Sequence, residues 1–183
     1  MQNIYDYTGI FRAAMTHGEA DEIATKLQDF EWTTHGNIAD SSIEYDVDTD
    51  FSVAHETAGD DRMRTIMSNV IDGALVRYRR RHFCGVNNRS VVRFNKNDTN
   101  TKMELNIDHM HSLFDGDRRG IPILSMMGVL NDDFEGGMFV FNEHKEVRLE
   151  KGDVLIFPSN FIYRHKVRLV TSGTRYSWMS WAY

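Results

Sequence analysis

The residues whose types could do chemistry gather in the second half of the chain, around Asp108, His165 and Arg175. Within an extended strand, residues two apart project from one face, so in LNIDHMHS the side chains of Asn106 and Asp108 point one way while Ile107 and His109 point the other. Two facing groups at that spacing can both reach one metal ion. Further along, SNFIYRHKV supplies His165 just after a strongly apolar strand, VLIF, and the terminal strand then sets Arg175 and Ser177 on a common face.

The elements that must position these residues are legible from periodicity. From Thr16 onward Ala20, Ile23, Ala24 and Leu27 recur at helical spacing, with Phe30 continuing the face, and Thr16 with Glu19 forms a capping-box pattern. A second helix is predicted over residues 61 to 79, where Met63, Ile66, Met67, Val70 and Ala74 trace one stripe and Leu75 widens it. These methionines read as core. The polar, acidic stretch from His35 to His55 lacks periodicity and is read as a long surface loop or lid. From Arg89 onward, VVRFN, SMMGVL, MFVFN, VLIF and RYSWMSWAY are short β-branched or aromatic runs between Asn, Asp and Gly punctuation, the pattern of strands. The fold class that follows is α+β: a jelly-roll core over residues 86–183, supported by a mainly helical half and loop over 1–85, all in one domain.

Composition limits the function classes. A chain of 183 residues, 41% of them hydrophobic, is long enough for one buried core. The net charge of −6 argues against a general nucleic-acid surface, which needs clustered basic charge. The one basic run, Arg77 to His82, reads as the solvated end of the second helix. A single cysteine, Cys84, excludes an internal disulfide and a Cys-rich zinc site and suits a reducing compartment, so the cytoplasm, or that of a phage-infected host, is the expected location. No apolar run approaches the roughly 20 residues that cross a bilayer, and the N-terminus has no signal-peptide pattern, so no membrane association is expected.

The ordered set Asp108, Leu130-Asn131, Gly136-Gly137, Lys151-Gly152-Asp153, His165, Arg175 and Ser177 resembles the catalytic half of the iron(II)/2-oxoglutarate-dependent dioxygenase superfamily, in its prolyl 4-hydroxylase-like branch of phage and marine bacterial type. The resemblance runs from about Arg93 to Tyr183. It implies a double-stranded β-helix and an Fe(II) site of two histidines and one carboxylate, which leaves positions open for the keto acid and dioxygen. It also implies 2-oxoglutarate held through Arg175, whose guanidinium pairs bidentately with a carboxylate, and through the Ser177 hydroxyl. The implied activity is hydroxylation of a peptidyl C–H bond, prolyl among them, or of a small-molecule C–H bond, with release of succinate and CO2 and with ascorbate as accompanying reductant.

The chain departs from that pattern at the first histidine of H-x-D, where it carries Asn106. Asp108 and His165 then remain as the matched metal ligands. Five completions stay open: Asn106 itself, His111 or His109 as a substitute, each needing a break in strand alternation, an incomplete or water-completed site, or a register in which His109 and His111 join His165 without Asp108. Met138 after the Gly-Gly turn and Arg164 before His165 are further departures. The alternative reading is a catalytically impaired 2-oxoglutarate-binding homologue of the same fold. On the last strand Met179 and Trp181 share the face of Arg175, whereas Tyr176 and Trp178 face the other way, Trp178 into the core. SLFDGDRRGIP and the loop of residues 35 to 58 are the candidate substrate-facing segments.

Overall fold

A computed structural model describes residues 3–35, 51–108 and 122–183. In chain order its elements are β1 (Gly9–Phe11), α1 (His17–Leu27), β2 (Thr33–Thr34), β3 (Ser52–His55), α2 (Asp61–His82), β4 (Arg93–Asn97), β5 (Met103–Asn106), β6 (Leu124–Val129), β7 (Glu135–Gly136), β8 (Phe139–Phe141), β9 (Lys145–Val147), β10 (Val154–Pro158), β11 (His165–Val167), β12 (Val170–Ser172) and β13 (Arg175–Ala182). Every strand pairing is antiparallel. A seven-stranded sheet runs β1-β10-β6-β13-β4-β3-β2, a four-stranded sheet β5-β11-β8-β9, and β12 pairs with β7. The architecture is the double-stranded β-helix, a two-sheet jelly roll without closure into a barrel, backed by helices.

Both helices form where the periodicity places them. The Thr16 hydroxyl accepts from Glu19 N–H at 3.2 Å while Glu19 Oε2 accepts from Thr16 N–H at 3.0 Å, the reciprocal cap that starts α1. Asp60 caps α2 by accepting from Met63 N–H at 2.8 Å. α2 runs to His82 and ends at Phe83, which takes the left-handed conformation, so the basic residues Arg79 to His82 occupy its last turn. That placement suits the negative end of the helix dipole.

Two apolar clusters divide the work of folding. The larger joins the buried faces of α1 and α2 (Ile23, Leu27, Met63, Met67, Ile71) to the outer face of the large sheet, with Trp178, Phe94 and Ile156 among its members. Trp178 and Tyr176 therefore pack on the helical side, as alternation along the last strand predicts. The second cluster lies between the two sheets and is aromatic: Phe51, Phe139, Phe141, Phe157 and Tyr163 with Met103, Met127 and Met179.

The first half supplies the two supporting helices and also contributes strands to the large sheet. β1 extends the large sheet beyond β10, and β2 and β3 extend it beyond β4, so three strands from residues before 86 complete it. Residues 52–55, read from sequence as part of a long loop, pair with β4 in register from Ser52 opposite Lys96 to His55 opposite Arg93. The alternation signal is weak there because the strand is short and only Ala54 of its four residues is buried. The rest of the expected lid, residues 36–50, and the SLFDGDRRGIP segment up to residue 121 lie outside the described residues.

Candidate active site

His165 opens β11, and its imidazole is completely buried between the sheets. Its ring stacks on Phe139 at 5.2 Å and meets Phe157 edge-on at 5.1 Å. Nδ1 lies 3.1 Å from the Tyr163 carbonyl, a contact in which Nδ1–H donates and leaves Nε2 with a free lone pair. Nε2 is buried and has no hydrogen-bond partner among the described residues. Asp108 Oδ2 is 3.7 Å away, too far for a hydrogen bond. The same oxygen accepts from the Ser125 hydroxyl at 2.5 Å, and Ser125 in turn lies 2.7 Å from Ser159 Oγ, so the carboxylate is held from β6 and the end of β10.

The pair formed by Asp108 and His165 has the donor chemistry of a metal site. Two groups bound to one first-row ion at about 2.1 Å each lie at most about 4.2 Å apart, and the observed gap falls within that limit. The orphaned imidazole lone pair beside a carboxylate is the fit that a divalent ion requires. Asn106 lies directly opposite His165 in the β5–β11 pairing, so the position where the first histidine is expected does border the site. Among the described residues no group of three His, Cys, Asp or Glu converges on one point. His109 and His111 lie outside the described residues.

Arg175, at the start of β13, is 2% exposed. Burial pushes its guanidinium down to about 10. Nη1 donates to Ser177 Oγ at 2.8 Å, and among the described residues no carboxylate forms an ion pair with it. The strand is anchored just before it: Asn131 Nδ2 donates to the Thr174 carbonyl at 2.6 Å, and Asn131 Oδ1 accepts from Tyr176 N–H at 2.8 Å. The Gly-Gly turn closes over the arginine stem. Gly137 has φ +60°, and a methyl group there would lie 2.7 Å from Arg175 Cδ, so this close approach requires glycine.

A small cavity between the sheets is lined by Arg175, Ser177, Asn95, Asn97 and apolar neighbours including Phe139 and Met179. A larger space of about 190 Å³ opens on the other side of Arg175, past Met138 and Leu149. Asn95 faces Ser177 and Asn97 faces Arg175 across the β4–β13 pair. Both amides are buried, with Asn95 Oδ1 and Asn97 Nδ2 lacking a hydrogen-bond partner among the described residues. An uncompensated buried amide costs about 1–3 kcal/mol. One such atom on each asparagine, beside a guanidinium that forms no ion pair among the described residues, gives the cavity a donor and acceptor set suited to a polar, anionic molecule.

Sequence reasoning missed Asn95, Asn97, Ser125 and Ser159. The asparagines did carry a signal: they alternate with Phe94, so polar residues occupy one whole face of a strand buried on both sides. Asp153 of the Lys-Gly-Asp turn is by contrast a tie to the N-terminal segment, accepting from Arg12 Nη1 at 2.5 Å and Ala13 N–H at 3.0 Å.

The sequence model of the 2OG-Fe(II) oxygenase superfamily matches residues 90–183, just over half of the chain. The chain belongs to that superfamily. Its matched region contains the buried pair of Asp108 and His165 and the Arg175 pocket. A PKHD-type hydroxylase of Idiomarina loihiensis is 36% identical over 73 residues, which covers 38% of this chain and about a third, 32%, of the length of that relative. Among solved structures, a Pseudomonas putida prolyl-4-hydroxylase superposes with a TM-score of 0.70 at 14% identity, covering 96% of this chain and 91% of that one. The viral collagen prolyl hydroxylase of Paramecium bursaria Chlorella virus-1, in its 2-oxoglutarate complex, gives 0.67 at 14% identity with 98% of each chain covered. A Trichoplax adhaerens prolyl hydroxylase, solved with a hypoxia-inducible-factor peptide, gives 0.70 at 16% identity over 96% of this chain and 83% of that one. At these identities the structural likeness establishes the double-stranded β-helix fold of the superfamily.

Proposed function

We propose that this 2OG-Fe(II) oxygenase hydroxylates a C–H bond of a peptidyl or small-molecule substrate, prolyl C–H bonds among the candidates. In balance, the C–H substrate, 2-oxoglutarate and dioxygen give the alcohol, succinate and CO2. Asp108 and His165 would hold Fe(II), which supplies the one-electron and dioxygen chemistry that no side chain provides. The residues of the chain itself perform the rest. Arg175 and Ser177 take the distal carboxylate of the keto acid, and Asn95 and Asn97 regain hydrogen bonds on its arrival. Phe139, Phe157 and Met179 keep the site dry. Ser125 and the Tyr163 carbonyl orient the two metal-facing groups. The observation that carries the proposal is the buried Arg175, which pairs with no carboxylate among the described residues, within the same interior as the orphaned His165 Nε2.

A second reading, a homologue that binds 2-oxoglutarate without turnover, draws on Asn106 opposite His165, since an amide is a poor iron ligand beside imidazole. One pair of measurements separates the two. Purified protein with Fe(II) and 2-oxoglutarate should release succinate, and Asn106→His should raise that release. 2-Oxoglutarate should also raise the Tm of the wild type and leave that of Arg175→Ala unmoved. A retained Tm shift with no succinate from either form leaves the binding homologue; an equal shift in the Arg175 variant removes the pocket assignment altogether.

A further inference from the structure

Strand β4 carries Arg93, Asn95 and Asn97 at alternate positions, and the first of these has no part in the keto-acid pocket. Arg93 lies opposite Met179, whereas Asn97 lies opposite Arg175, so the two arginines are separated by four residues of strand, roughly 13 Å. The Arg93 guanidinium covers the Trp181 ring, 4.9 Å from its centroid. Nη1 meets His35 Nε2 at 3.4 Å and Nη2 meets Met179 Sδ at 3.6 Å. Nε is buried without a hydrogen-bond partner among the described residues.

These contacts are all with a ring, an imidazole or a thioether, and among the described residues no carboxylate lies within ion-pair distance of Arg93. A guanidinium carries five N–H donors in a plane and keeps its charge throughout the working pH range. Withdrawing it from water against such soft neighbours leaves most of its desolvation cost uncompensated. Burial pushes Arg93 below its usual range, and the charge of Asp108 acts in the opposite sense. That carboxylate is already engaged by Ser125 and faces His165. Arg93 nevertheless keeps partial exposure, so an anion from outside can reach it. His35, edge-on to Phe51 at 4.6 Å, and Trp181 hold the guanidinium in place.

We infer that Arg93 is a second carboxylate receptor, separate from the keto-acid pocket at Arg175, and that it anchors a carboxylate of the substrate on the Asp108 side of the site. The planar fork matches a carboxylate in two parallel hydrogen bonds. One guanidinium in a chain of net charge −6 balances one negative charge, which suits a carboxylate better than a phosphate. The word substrate rests on the oxygenase reading; the binding of a carboxylate at Arg93 does not. The carboxylate can belong to a free acid or to an acidic residue of a peptide, and both sources are tested below.

The test follows the Arg93 Nε–Hε resonance in 15N-labelled full-length protein, assigned by its loss in Arg93→Lys. N-acetyl-L-proline is titrated against N-acetyl-L-prolinamide, and acetyl-Ala-Glu-Pro-amide against acetyl-Ala-Gln-Pro-amide. The resonance should shift with at least one carboxylate probe, and the matching amide should bind at least tenfold more weakly. A response to the free acid alone assigns a small-molecule acid; a response to the glutamyl peptide alone assigns an acidic peptide. Equal binding of acid and amide, or an unmoved resonance with all four probes, overturns the inference. The paired amides make the comparison on the wild-type protein, and Arg93→Lys serves only to assign the resonance. Because the signal belongs to Arg93, failure of the keto-acid assignment at Arg175 would leave this result readable.

Discussion

Asn97 separates what stabilises the free protein from what prepares it for a ligand. The residue is 2% exposed, and its Nδ2 has no acceptor among the described residues, so within the fold it is a cost. Asn97→Leu keeps a similar volume while removing the unsatisfied Nδ2 group. The free protein should therefore be as stable as the wild type or more so, by up to about 1–2 kcal/mol in urea unfolding. The Tm shift produced by 2-oxoglutarate should shrink at the same time. A loss of stability in the free variant would show that the amide has an internal role, and an undiminished shift would remove Asn97 from the pocket. His165 has the complementary arrangement: one nitrogen faces the Tyr163 carbonyl and the other is left open toward Asp108.

At the scale of elements, caps and ties set the frame on which the site is built. The Thr16 hydroxyl satisfies the first turn of α1, and Thr16→Ala should lower stability by about 1 kcal/mol in urea unfolding, without altering 2-oxoglutarate binding. Asp60 does the same for α2 and also accepts from Lys26 Nζ at 2.6 Å, joining the two helices. The hydrogen bond from Lys26, followed by that from Met63 N–H, holds the Asp60 carboxyl below its ordinary value. A carboxyl with a depressed folded-state value adds stability above its unfolded value and loses it as pH falls through the folded one. Asp60→Asn retains a capping oxygen but not the charge. Its urea midpoint should lie below that of the wild type at neutral pH, with the gap closing below about pH 4. A gap independent of pH would mean that Asp60 acts through its cap geometry alone.

For the whole molecule, the two apolar clusters have different duties. The helix-facing cluster carries stability, and the inter-sheet cluster also walls the site. Met67→Ala, fully buried against the helices, should cost about 2–5 kcal/mol and leave the affinity for 2-oxoglutarate unchanged in whatever fraction stays folded. Phe139→Leu should cost less stability yet reduce both metal and keto-acid binding, because Phe139 stacks on His165 and lines the cavity beside Arg175. Calorimetric titration alongside thermal melting distinguishes the two; equal effects on affinity would mean that the clusters are not divided in this way. Among the described residues, no helix is long and apolar enough to cross a membrane.

Local patterning in the sequence determined both helices, the alternation of β13 and the linear order of Asp108, His165, Arg175 and Ser177, because periodicity and capping depend on neighbours within a few residues. It also displayed Asn106, but chain order alone could not say what that residue faces. Only tertiary pairing placed it opposite His165, and only packing showed that Arg175 is buried with Ser177 and no carboxylate beside it, and that His165 Nε2, Asn95 Oδ1 and Asn97 Nδ2 lack hydrogen-bond partners among the described residues. The strands β1, β2 and β3 escaped the sequence reading for the same reason. Each has four residues or fewer, and each takes its conformation from a ladder donated by a distant strand, a contact that no local window contains.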